Sequence, residues 1–145
     1  MSAREITGGQ AVQEALDLAM GMDESVFLAG EGVGTSIHHN PHMPTHGLLE
    51  KWGPKRVKDT PVSEAAIAGL AVGSACMGLK PVVEIMFLPF FTLASDMIVN
   101  HAAKLRYLSG GKSSFPLTVR VKAGIGFQAG CHHQHNLEAW LAHCP

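Results

Sequence analysis

Apolar positions along the chain alternate between two spacings. In residues 11 to 22, AVQEALDLAMGM, Ala11, Ala15, Leu18 and Met22 recur at helical intervals, and Thr7 and Gly8 precede them as an opening turn. Residues 25 to 29, SVFLA, then form a continuous apolar run closed by Gly30 and Gly32, the pattern of a strand buried on both faces. GLLEKWG predicts a short helix ending at Gly53-Pro54, and residues 56 to 59 a strand. Residues 63 to 77 are mostly Ala, Gly, Ile and Leu, which predicts a largely buried helix able to pack closely on its neighbours. After the Gly78-Leu79-Lys80 turn, residues 81 to 86, PVVEIM, predict a further strand. A helical pattern returns from about 93 to 108, residues 116 to 121 read as a strand, 124 to 136 as a Gly- and His-rich loop, and 137 to 143 as helix. Helix and strand in alternation predict an α/β fold with a mostly parallel sheet. No strand follows the last helix, so the chain, a single domain over 1 to 145, is expected to stop before its layer is complete.

Composition narrows the classes of function. The 145 residues suit one domain, and 46% hydrophobic against 16% charged residues describes a globular, not a disordered, polymer. Lys and Arg number 11 against 12 Asp and Glu, a net charge of -1 that gives no general attraction to nucleic acid or anionic membrane. The opening MSAREITGG is charged where a secretory signal is apolar, and no run reaches the roughly 18 apolar residues of a membrane helix, so a soluble, cytoplasmic protein is expected. The cysteines, Cys76, Cys131 and Cys144, lack a CxxC spacing and are expected to be reduced, with Cys76 a small buried thiol.

Four motifs occur in one order: Thr60-Pro-x-Ser-Glu64, a Gly-rich helix, Pro81-Val-x-Glu84, and Lys104-x-Arg-Tyr-x-Ser-Gly-Gly111. In these, and in LEAWLAHCP at residues 137 to 145, the chain resembles the beta subunits of thiamine-diphosphate-dependent 2-oxo acid dehydrogenases, of the pyruvate, branched-chain and acetoin type. The resemblance spans nearly the whole chain. It implies a thiamine-diphosphate-binding fold, the transketolase-like pyrimidine-binding module, with the family's C-terminal domain absent. It further implies a cofactor shared with an alpha-type subunit that supplies the diphosphate and magnesium site, in a heterotetramer of two alpha and two beta subunits. The product acyl group would pass to a lipoyl acyltransferase component. No Gly-Asp-Gly to Asn spacing occurs here, and no metal ligand is assigned to this chain.

Glu64 matches the family's glutamate that hydrogen-bonds N1′ of the aminopyrimidine. A carboxyl sharing a proton there favours the imino tautomer, whose exocyclic nitrogen can take the proton from the thiazolium C2. Such a carboxyl is expected to be buried and shifted toward its neutral form. As an ordinary helix-start glutamate behind a Ser63 cap, it would instead be held ionised by the positive helix end. Phe90 falls where the family places an aromatic against the pyrimidine, and is read as stacking there in preference to core packing within MFLPFF. Met86, at a position polar in some relatives, offers apolar contact to the cofactor. His133 aligns with the histidine of the family's His-Ser-Gln-Ser loop and is the candidate for proton transfer near substrate. Here the loop reads His132-His133-Gln134-His135-Asn136, without Ser-Gln-Ser.

His38, His39, His42 and His46 are dense enough to bind zinc or nickel, but no Cys or carboxylate pattern accompanies them and Pro41 and Pro44 suggest an irregular exposed loop. Binding to a nickel matrix is the expected consequence. Asn100, Lys104, Arg106 and Tyr107 are read as serving assembly over catalysis. Two other functions remain open: the pyrimidine-binding half of a split transketolase or carboligase, and a non-catalytic assembly subunit of the same fold.

Overall fold

A computed structural model of the chain describes residues 4–34, 43–124, 126 and 128–144. Helix α1, Gly8–Met22, begins earlier than its apolar spacing predicts, because its first turn is set by polar groups. The Thr7 hydroxyl accepts from the Gln10 amide at 3.2 Å, and the Gln10 side chain accepts from the Thr7 N–H at 2.9 Å, a reciprocal cap with no hydrophobic signature. Strand β1, Val26–Gly30, is buried throughout, as its unbroken apolar run requires. Helix α2 (Leu48–Trp52), strand β2 (Val57–Asp59), helix α3 (Glu64–Cys76) and strand β3 (Lys80–Ile85) follow.

Sequence spacing anticipates the next helix only in part. It starts at a 3-10 turn, Leu88–Phe90, where Pro89 has its φ preset for the first helical turn, and continues as α4, Phe91–Ser95. A π-helical segment, Asp96–Ala102, and helix α5, Ala103–Leu108, complete it. Strand β4 is Thr118–Val121, shorter than the pattern suggests, a 3-10 turn covers Cys131–His133, and helix α6 is Glu138–Ala142.

The strands form one sheet in the order β2-β1-β3-β4, every neighbouring pair parallel. Register places Gly30 opposite Asp59 on one side and Glu84 on the other, with Glu84 in turn opposite Arg120. Alternation along β1 divides the core between two faces. Val26 and Leu28 join Leu16, Met20, Val33, Leu48 and Val57, while Phe27 and Ala29 join Ile67, Ala71 and Val83. A further cluster of Ala68, Ile85 and Ala94 carries Phe90, Val119 and Val121 against it.

Two expectations are corrected. Helix α3 buries Glu64, Ile67, Ala68, Ala71, Val72 and Ala75, a single face at helical spacing, and is not buried all round. Cys76 follows Ala75 by one helical step, about 100° around the axis, and is exposed. A helix made almost wholly of apolar residues gives no polar face from which to read that orientation. Residues 43 to 47 form turns in which Pro44 and Thr45 are buried, so that part of the His-rich segment is packed and not an exposed loop. His46 itself is exposed, its carbonyl accepting a bond from Gln13 Nε2. His38, His39 and His42 lie outside the described residues. Among the described residues no helix is long and apolar enough to cross a membrane.

Candidate active site at the carboxyl edge of the sheet

In an all-parallel sheet the loops that leave the carboxyl ends of the strands collect on one edge, where ligands bind in folds of this class. The β1 loop opens with Glu31. Gly32, at φ 62°, turns the chain in the left-handed region that glycine tolerates, and the buried Val33 anchors it. The Gly34 amide then donates to Asp59 Oδ1 at 2.6 Å, and the Thr60 amide to the Gly30 carbonyl at 3.0 Å, so the β1 and β2 loops are tied to each other. Pro61, Val62 and Ser63 lead directly into Glu64, the first residue of α3. Ser63 occupies the cap position but its side chain makes no capping bond, contrary to the expected hydroxyl cap.

Glu64 is 5% exposed and Glu31 6%. Neither is ion-paired among the described residues. Burial pushes the Glu31 carboxyl toward its neutral form, and the nearby charge of Glu64 pushes it further the same way. Burial of Glu64 agrees with the sequence expectation. Sequence reasoning missed Glu31, although an acid set between Gly30 and Gly32 at a strand's carboxyl end was a visible signal.

The β3 and β4 loops carry a different chemistry. Glu84, 3% exposed, is ion-paired with Arg120, and Lys122 Nζ lies 3.6 Å from its other oxygen. The Leu88 amide donates to the Lys122 carbonyl at 2.7 Å, which joins the two loops. Met86 is half-buried in the bend after β3. Phe90 packs on the Ala68, Ile85 and Ala94 cluster and meets the His133 imidazole edge-on at 5.4 Å between centroids. Phe87 meets the same imidazole at 4.9 Å. Phe90 and His133, far apart in sequence, are thus brought together, and the cluster under Phe90 includes Ala68, which lies on the same buried face of α3 as Glu64.

Three side-chain atoms are buried without a hydrogen-bond partner among the described residues: Glu31 Oε1, Thr60 Oγ1 and His133 Nδ1. They belong to the loops after β1, β2 and β4. Orphaned buried polar atoms are costly and rare, and their concentration on one edge of one sheet marks a place where a polar ligand would complete the bonding.

Residues 4–145 match the family described as "Transketolase, pyrimidine binding domain". The chain belongs to this family. It is 44% identical over 144 residues, 99% of its length, to the mitochondrial pyruvate dehydrogenase E1 component subunit beta of Pisum sativum, of which it covers 40%. It is 39% identical over 153 aligned positions to the acetoin:2,6-dichlorophenolindophenol oxidoreductase subunit beta of Bacillus subtilis, covering 99% of this chain and 45% of that one. The pyruvate dehydrogenase E1 component subunit beta of Rickettsia felis is 42% identical over 141 residues, 97% of this chain and 43% of its own length. The chain therefore spans about two fifths of the curated relatives it matches.

Proposed function

We propose that this domain supplies the aminopyrimidine half of a thiamine-diphosphate site in a 2-oxo acid dehydrogenase of the pyruvate or acetoin type. It would act only with an alpha-type subunit that holds the diphosphate and magnesium, in a heterotetramer that delivers acyl groups to a lipoyl acyltransferase. The observation that carries this reading is the set of orphaned atoms on Glu31, Thr60 and His133, on the sheet edge where the buried Glu64 opens α3. A carboxyl, a hydroxyl, an imidazole and the half-buried Phe90 ring are a donor set that fits a flat, polar heterocycle.

Thiamine diphosphate, when bound, supplies the electron sink needed to cleave the bond beside a carbonyl. The chain's part is to hold and move protons around it. Glu64 holds a proton at the ring nitrogen N1′, and its burial keeps water from competing for that bond. Glu31, biased toward neutral, avoids setting a second full charge beside Glu64. Phe90 gives a flat apolar wall fixed by its packing on the Ala68, Ile85 and Ala94 cluster, and Met86 adds apolar contact from the neighbouring bend. Phe87 and Phe90 hold the His133 ring at two edges, so the imidazole can present a proton toward substrate from a set orientation.

Assembly is the role we give to the polar residues after α4. Asn100 donates to Asp96 at 2.8 Å and accepts from Lys104 at 3.1 Å, a ladder that stiffens the π-helical segment. Beyond it Arg106, Tyr107, Gly110 and Gly111 line a surface cleft of about 480 Å³, with Tyr107 88% exposed. Large exposed apolar side chains of this kind mark contact surfaces.

The test is to reconstitute the holoenzyme with its alpha-type partner and compare wild type with Glu64→Gln, using an artificial electron acceptor. Loss of turnover in the variant is expected; undiminished turnover overturns the assignment. Sugar-phosphate turnover without 2-oxo acid or acetoin activity would move the chain to the transketolase reading. Calorimetry showing no thiamine diphosphate binding in the presence of the partner would leave a non-catalytic subunit.

A further inference from the structure

The roles above leave Lys122 unused. It is the first residue after β4, its backbone is pinned by the bond from the Leu88 amide, and its side chain is 28% exposed. Its Nζ lies 5.6 Å from the Phe87 ring centre, and that ring is the one that meets the His133 imidazole edge-on. Glu84, the carboxylate beneath it, is already paired through its other oxygen with Arg120. One buried carboxylate facing two cations leaves the cluster with an excess positive charge. At 3.6 Å the Lys122–Glu84 contact is an ion pair too long for a hydrogen bond. The three ammonium N–H groups therefore make no hydrogen bond among the described residues, and a partly desolvated cation against an aromatic face favours an anionic partner.

We propose that Lys122 is the contact for the substrate's anionic group, its ammonium taking the carboxylate of a 2-oxo acid and favouring that acid over a neutral acyloin. The inference rests on the thiamine reading above and adds a residue and a preference to it. The opposite half of the edge holds Glu31 and Glu64 and offers an anion no ion-paired cation among the described residues. A cation on the β4 side gives the substrate's carboxylate its counter-charge and orients it, carboxylate toward Lys122 and carbonyl toward His133. The cofactor's diphosphate is the other anion that could meet this ammonium, and the experiment separates the two.

In the reconstituted holoenzyme, kcat and KM are measured for pyruvate and for acetoin in wild type, Lys122→Met and Lys122→Arg, alongside calorimetric binding of thiamine diphosphate. Loss of a hydrogen bond to a charged group predicts that Lys122→Met lowers the pyruvate-to-acetoin ratio of kcat/KM by about 10-fold or more, chiefly through the KM for pyruvate. Lys122→Arg restores most of that ratio. An equal loss for both substrates, or a loss confined to thiamine diphosphate affinity, overturns the proposal. A wild-type holoenzyme that binds thiamine diphosphate but turns over only acetoin also overturns it while leaving the cofactor reading intact. One that binds no thiamine diphosphate removes both.

Discussion

Two halves of one sheet edge bury carboxylates in opposite ways. On the β3 and β4 side, Glu84 faces Arg120 and Lys122. On the β1 and β2 side, Glu31 and Glu64 lie together with no cation among the described residues. Burial alone does not separate the two halves, since all three groups are between 3% and 6% exposed. Their partners do. A buried charge with its counter-ions in place is complete within the domain, whereas a buried pair of like groups is stable only if a proton or a ligand takes up the difference. The uncompensated half is therefore the one to read as the cofactor's, and Glu84 with Arg120 as the frame on which Lys122 is held.

The largest expected effect tests the cofactor's half. Glu64→Gln keeps the shape of the side chain but cannot hold the N1′ proton as a carboxyl does, and turnover of the holoenzyme is expected to fall about 1,000-fold. Steady-state rates with an artificial acceptor measure this. The matching change in the frame acts on stability. Glu84→Gln strands Arg120 and Lys122 as uncompensated charges at a largely buried position, which is expected to cost about 3 kcal/mol of unfolding free energy by urea titration. If Glu84→Gln instead spared stability and abolished turnover, the division between frame and function would be reversed.

The sequence made most of the fold legible, because VFLAG is an unbroken apolar run closed by glycine and KPVVEI is an apolar run interrupted inside the strand only by Glu84, and such patterns survive without tertiary information. Glu64, Phe90 and His133 were named through the family resemblance; the structure buries the first and brings the last two into ring contact. Cys76 was misread because α3 is apolar on every side and only packing decides which face turns inward. The capping-box start of α1 and the 3-10 and π-helical turns around α4 escaped periodicity, since none repeats every 3.6 residues. Glu31 and Lys122 are single charged residues in loops, and their meaning depends on neighbours distant in sequence.

Gly30 joins the two halves, and a substitution there would disturb both. A Cβ at Gly30 would stand 2.7 Å from the Glu84 carbonyl oxygen and 3.1 Å from its Cβ, and the nearest atom is backbone that cannot rotate away. Gly30→Ala is expected to lose about 2 kcal/mol, read as a lowered urea midpoint at constant slope. An unchanged midpoint would show that β1 and β3 can separate at this register without cost.

The smallest effect has the opposite sign and is the most specific to the uncompensated half. Because Glu31 has a folded pKa raised above its unfolded value, the folded state keeps a proton that the unfolded state has released over the interval between the two. Stability contributed by that proton is present below the unfolded pKa and is lost as pH rises through the folded one. Glu31→Gln removes the titration and the repulsion from Glu64. The cofactor-free variant is therefore expected to match wild type near pH 4 and to exceed it near pH 8. Thermal unfolding of both proteins across that range gives the difference directly, and a gap that stays constant with pH would mean that Glu31 is ionised in the folded protein as freely as in the unfolded chain. Stability gained in this way should come with weaker thiamine diphosphate binding, since a site tuned for a ligand gives up free energy in its absence.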